Sequence, residues 1–224
     1  MKDLIVLHGA LGSAGQLGPL KDQLSSYFRV HTLDFSGHGE APFAKEFGII
    51  RFTHDLRQLI DRLNAEKIDI VGYSMGGYVA LNLASIDKRI GRIVTLGTKF
   101  GWNPEASRKE ITHLVPDLMQ QKVPHFARLL DERHTDWKRV VTATADMMIS
   151  LGKNPILNDT TLPAVENKVL VMLAEKDTMV TEEESRHATN LMPNATFRIL
   201  PDSKHPIEQV DMHRLVTEIT NFLL

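Results

Sequence analysis

The chain has 224 residues, no cysteine, 42% hydrophobic and 24% charged residues, and a formal net charge of -2. That length suits one large domain that closes its own core without a disulfide or metal staple, and the composition excludes wholesale disorder. The near-neutral balance gives no electrostatic basis for binding nucleic acid or an anionic membrane, and the missing cysteines exclude thiol nucleophiles and thiolate metal sites.

The first apolar run, Leu4 to Leu7, ends at His8-Gly9. It is too short for a signal peptide, and no later run approaches the roughly 20 apolar residues of a membrane span. A soluble cytoplasmic protein is expected. Leu4 to Leu7 is the first predicted strand, Leu17 to Tyr27 a helix and Val30 to Leu33 the second strand. Phe52, Leu56, Leu59, Ile60 and Leu63 recur at helical spacing. Ile68 to Val71 is the third strand, Gly76 to Ser85 a helix and Ile93 to Leu96 the fourth strand. Val169 to Leu173 and Thr196 to Leu200 are strands five and six; between them Thr181 and Glu184 form the capping box of a helix. Ile207, Val210, Leu215, Ile219 and Leu223 mark a last helix. Strands alternating with helices imply a parallel sheet covered on both faces, an α/β fold.

One segment breaks that rhythm. The stretch between strands four and five far exceeds the dozen or so residues a crossover needs. It carries helical patterns at Ile111 to Gln121, Phe126 to Arg133 and Trp137 to Leu151, and is rich in Trp, Met and Phe. It reads either as ordinary core helices or as a helical cover over a site.

Gly72-Tyr73-Ser74-Met75-Gly76 follows a strand and opens a helix, the context of a nucleophile elbow. Glycines on both sides remove Cβ atoms that would clash in so sharp a turn. A serine needs a base, and the base an orienting acid. His187 and His213 fall inside predicted helices, whereas His205 lies in the loop after strand six, at the same sheet edge as Ser74. The acid comes from Glu175 or Asp177, directly after strand five, with Asp177 preferred. Backbone N–H groups of Met75, just after the serine, and of Ala10, in the turn after strand one, are the candidate oxyanion donors. The order is Ser74, Asp177, His205. Trp102, Trp137 and Met147 are candidate substrate contacts from the long helical segment. No metal or organic cofactor is required.

Together, His8-Gly9, Asp34-Phe35-Ser36-Gly37-His38-Gly39, Gly72 to Gly77, Asp177 and His205 resemble the α/β-hydrolase superfamily across nearly the whole chain. The resemblance implies a six-stranded parallel sheet in the order 2-1-3-4-5-6, lacking the family's first two strands. The core would span 1–97 and 165–224, with a helical cap inserted at 98–164. It also implies a structural role for His38. Serine at the elbow disfavours the aspartate-dependent dehalogenase and epoxide-hydrolase branches. The reading is a serine carboxylesterase for small or medium acyl esters, acting through an acyl-enzyme, with a small-molecule substrate, no nucleic-acid or membrane partner, and no oligomeric state selected. Carbon–carbon hydrolases, a synthase acting on a menaquinone precursor, thioesterases and non-catalytic ligand receptors share the pattern. The synthase likeness weakens at Tyr78, where the related motif carries arginine. Lys99, Arg108 and Lys109 could serve a thioesterase by meeting an anionic carrier, or form a solvated surface.

Overall fold

Every strand of this protein pairs in parallel, and that arrangement sets where its loops converge. The computed structural model describes residues 1–224. The strands are β1 (Lys2–Leu7), β2 (Phe28–Thr32), β3 (Ile68–Tyr73), β4 (Ile90–Leu96), β5 (Val169–Ala174) and β6 (Ala195–Leu200), in the order β2-β1-β3-β4-β5-β6. Every residue of β3 and of β5 is buried, as strands covered on both faces require. The chain leaves β1 in opposite directions along the sheet, so the carboxyl ends of β1 and β3 flank a topological switch point, where open α/β sheets bind ligands.

Two apolar layers hold the helices to the sheet. On one face α2 (Ile49–Leu63), α3 (Met75–Ala84) and α8 (Glu182–Leu191) pack on alternate strand residues such as Ile5, Leu7, Ile70 and Val171. On the other, α1 (Gly18–Leu24) and α9 (Met212–Leu223) cover Leu4, Val6, Val71 and Leu170. All ten residues of α3 are buried, which fits a helix whose polar side chains, Tyr78 and Asn82, both have hydrogen-bond partners. Gly76 lets it approach β1, since a Cβ there would lie 2.7 Å from the Leu7 carbonyl oxygen.

The segment between β4 and β5 forms four helices: α4 (Pro104–Ile111), α5 (Pro116–Lys122), α6 (Pro124–Arg133) and α7 (Trp137–Lys153). Of the expected helix over Ile111 to Gln121, Ile111 is the last residue of α4 and only Pro116 onward is helical, as α5. Asn103 caps α4, accepting from the Glu105 and Ala106 N–H groups, and three of the four helices begin with proline, which suits the first helical position. The residue before each proline is driven out of the helical region, so Val115 and Val123 mark breaks that hydrophobic spacing did not reveal. The expected last helix likewise divides, into a 3-10 turn at Ile207–Gln209 and α9, which Asp211 caps. No helix is long and apolar enough to cross a membrane.

Candidate active site

Ser74 stands between β3 and α3 with φ 51° and ψ -116°, a conformation that side-chain-bearing residues rarely adopt. The surroundings hold it there. Its N–H donates to the Leu96 carbonyl at 2.8 Å, and its own carbonyl accepts from the Gly77 N–H at 3.0 Å and the Thr98 hydroxyl at 2.9 Å. Such a state persists only when its neighbours over-determine it. The Ser74 side chain makes no capping bond to the helix it precedes, which leaves the hydroxyl free at the top of the sheet.

His205, after β6, and Asp177, after β5, meet each other next to Tyr73 and Gly97. The His205 Nδ1 lies 2.7 Å from the Asp177 Oδ2, while the other carboxylate oxygen accepts the N–H groups of Met179 at 2.8 Å and Val180 at 2.9 Å. Burial pushes the Asp177 carboxyl up, but the hydrogen bond and charge of His205 and the two backbone donors outweigh it and hold the group below the ordinary carboxylate range. In the neutral ring a hydrogen bond from Nδ1–H to this carboxylate leaves Nε2 as the nitrogen that can accept a proton. The ring lies over Tyr73, the residue before the serine, with centroids 5.7 Å apart. Glu175 is elsewhere: its carboxylate accepts the Asp202 N–H at 2.9 Å and braces an exposed turn. His187 pairs with Asp159 on the surface, and His213 is exposed.

The loop after β1 brings Ala10 to the same place. A Cβ on Gly9 would lie 3.1 Å from the Ser74 Cβ, so the loop touches the elbow because glycine stands there. The Ala10 N–H has no acceptor within the protein. The Met75 N–H belongs to the first turn of α3, where helical geometry offers no acceptor either. Three buried histidines fix this loop. His8 accepts the Phe35 N–H on Nε2 at 3.2 Å and so donates from Nδ1 to the Gly9 carbonyl at 2.8 Å. His134 accepts the Gly39 N–H on Nδ1 at 2.8 Å and donates from Nε2 to the Leu11 carbonyl at 3.0 Å. His38 sits between their rings, 5.0 and 5.7 Å away, with neither nitrogen bonded. Burial lowers all three, His8 to about 4, which keeps each ring neutral. His38 thus lies in the packing of this loop.

A small cavity of about 40 Å³ opens beside Ser74, between α2, α3 and the helices that follow β4. Trp102 and Met147 line it, together with Ile49, Tyr78 and Leu151. Trp137 does not. It packs with Met119, Leu130 and Val141 in a separate cluster and reaches a different surface cleft, so its expected substrate contact is replaced by a packing role. Lys99 lines the cavity, but its ammonium donates to the Met179 carbonyl at 2.8 Å and lies 3.3 Å from Glu110, so its charge is already answered. Arg108 and Lys109 are exposed on α4. No three histidine or carboxylate side chains gather as a metal site.

Sequence reasoning missed Gly97. Its φ is +63°, and a Cβ there would lie 3.2 Å from the His205 ring and 3.4 Å from the Asp177 Oδ2. A glycine directly after a strand was the available signal. Tyr78 was legible too, being one helical turn beyond Ser74 on α3.

A family model described as the alpha/beta hydrolase fold matches residues 3–139, more than half of the chain. A pimeloyl-[acyl-carrier protein] methyl ester esterase of Aliivibrio salmonicida is 26% identical over 157 residues, which cover 70% of this chain and 59% of that protein. A putative 2-succinyl-6-hydroxy-2,4-cyclohexadiene-1-carboxylate synthase of Bacillus subtilis is 32% identical over 111 residues, 48% of this chain and 40% of that one. The matched part of the chain thus spans less than two thirds of either relative. Among solved structures, a thermophilic esterase from Thermogutta terrifontis superposes with a TM-score of 0.80 at 21% identity, covering 100% of this chain and 89% of that one, a likeness of fold.

Two outcomes are expected. Gly97→Ala costs about 1–2 kcal/mol from the left-handed backbone alone, read as a lower urea midpoint, and displaces His205. Acid destabilises the protein in a defined window. His8, His38 and His134 bind protons less readily folded than unfolded, so stability falls as pH drops from 6.5 towards 4. The lowered carboxylates are lost only below 3.8, so a falling urea midpoint between pH 6.5 and 4.5 reports the histidines. His38→Phe flattens that fall.

Proposed function

The chain belongs to the α/β-hydrolase fold family, and from that premise we propose that Ser74, His205 and Asp177 form a catalytic triad that hydrolyses small or medium acyl esters. The observation that carries the reading is the His205–Asp177 hydrogen bond beside a serine held in a strained turn.

The serine hydroxyl attacks the ester carbonyl as its proton passes to His205 Nε2. A bond forms between Oγ and the carbonyl carbon, and the carbonyl electrons move to oxygen. That oxyanion faces the N–H groups of Ala10 and Met75, which have no competing acceptor. Collapse breaks the carbon–oxygen bond to the alcohol, which takes the proton from Nε2. Water then repeats the sequence on the acyl-enzyme, with His205 as base, and releases the acid. Asp177 holds the tautomer and stabilises the imidazolium without itself becoming protonated.

The segment between β4 and β5 acts as a cap, since Trp102, just before α4, and Met147 and Leu151 on α7 form one wall of the cavity over Ser74. Several features favour an ester over the related chemistries. The cavity is small and mostly apolar, and its one lysine is paired, so it lacks a free cation to hold an acidic substrate. Tyr78 occupies the position after Gly76-Gly77, and its hydroxyl accepts the Leu157 N–H at 2.8 Å, a structural bond that ties α3 to the cap. The relatives include a methyl ester esterase, which agrees in reaction class. A ligand receptor would have no use for a histidine held in a single tautomer by a buried carboxylate.

The test is hydrolysis of p-nitrophenyl acetate and butyrate. Ser74→Ala abolishes turnover above background, a loss of about 10⁶-fold if the triad acts as a unit. Asp177→Asn lowers kcat by about 10⁴-fold with an unchanged fold, and Glu175→Gln leaves it intact. Full activity in Asp177→Asn, or loss only in Glu175→Gln, would assign the acid differently.

A further inference from the structure

A second cavity of about 330 Å³ adjoins the small one beside Ser74. It opens between the start of α2 and the last turns of α7, and includes Gly48, Arg51, Asp146 and Ser150 in its lining. Ile49, Met147 and Leu151 line both cavities. All three are buried, at 3%, 6% and 5% exposure, so together they form a thin apolar partition. Met147 is the adaptable member. Its side chain is unbranched with three rotatable bonds, and on the distal side it faces Gly48, where a Cβ would already lie 3.7 Å from its Cγ.

We propose that the two cavities are one acyl-binding site interrupted by the Met147 side chain, which swings aside to admit a neutral medium-length acyl chain into the distal chamber. The inference rests on the acyl-transfer reading above. The assignment to the acyl side follows from proton transfer: the departing alcohol receives its proton from His205 and must lie against that ring. The inner cavity is lined by Ala10, Ser74 and Met75 but not by His205 or Asp177. The portion of substrate that enters it is therefore the part that stays on the serine. At about 40 Å³ it holds no more than a few waters' worth of substrate, so anything longer than a short acyl group has to cross the partition.

The distal chamber also sets the chemistry of the chain's far end. Its one cation, Arg51, is spent on Asp55 at 2.7 Å and on the Ser36 hydroxyl at 3.0 Å. Glu46 and Asp146 are exposed there and make no ion pair. An unbranched apolar tail fits this lining, and a tail ending in a carboxylate meets two carboxylates without a free cation.

Ser150 lines only the distal chamber and is exposed on α7, so Ser150→Trp fills that chamber without entering the inner cavity. The experiment compares kcat/KM for p-nitrophenyl octanoate and acetate. The octanoate-to-acetate ratio falls about ten-fold in Ser150→Trp, rises about ten-fold in Met147→Ala, and returns near the wild-type value in the double variant. A second readout needs no catalysis. Calorimetry of Ser74→Ala with the neutral octanamide gives binding that weakens about ten-fold when Ser150→Trp is added. A ratio and an octanamide affinity both unmoved by Ser150→Trp overturn the proposal, as does a folded Ser74→Ala protein that does not bind octanamide. Octanamide binding that responds to Ser150→Trp, with no serine-dependent hydrolysis of any ester, would keep the chamber and reject the catalytic reading instead.

Discussion

Ser74 can present its hydroxyl only because its backbone occupies a conformation that its own side chain disfavours. Much of the architecture around it reduces to keeping that residue in place. The Leu96 carbonyl and the Thr98 hydroxyl, both from the neighbouring strand end, hold its N–H and its carbonyl. Gly76 lets the following helix pack against β1, and Gly9 lets the β1 loop touch the serine's own Cβ. Removing side chains at these points is what allows a strand, a turn and a helix to meet within one residue. The apolar helix α3, buried along its whole length, anchors the far side of the turn.

A second layer of organisation holds the groups that surround the serine. His8 and His134 each donate one hydrogen bond to a carbonyl of the β1 loop and accept another from an N–H of the loop after β2, so both are fixed as single neutral tautomers. Asp177 accepts two backbone N–H groups as well as His205, which places the imidazole from a loop that is itself tied down. That loop is in turn joined to the base of the helical segment. Lys99 donates to the Met179 carbonyl, and Glu184 accepts the N–H groups of Phe100 and Gly101 while completing the capping box of α8. The wall of the cavity and the acid of the proposed triad therefore share one set of polar contacts.

Much of this was legible in the chain. The parallel sheet followed from apolar runs alternating with helix-period segments, because a strand buried on both faces has no polar face to show. The elbow was legible because its geometry demands glycines at fixed offsets, and His205 and Asp177 stood out as polar residues directly after strands. Helix boundaries between β4 and β5 were harder. The apolar spacing runs across Val115 and Val123, and only the prolines that follow them decide where each helix stops.

Side-chain partners across the fold were not legible. Trp137 and Met147 look alike as large apolar residues on one helix, yet one packs against Met119 and Leu130 and the other walls the cavity. Which face of α7 meets the serine depends on how four helices settle over the sheet, a matter of long-range packing that periodicity along one helix does not encode. The same holds for Gly97, which is needed because a ring arriving from more than a hundred residues later occupies the space of its Cβ, and for the buried histidines, whose neutral state comes from burial by distant elements. The sequence by itself determined the local chemistry, since turns, caps and strand ends are fixed by neighbours in the chain. Only the tertiary structure decided which side chains share a cavity, because that depends on distances between residues the chain keeps far apart.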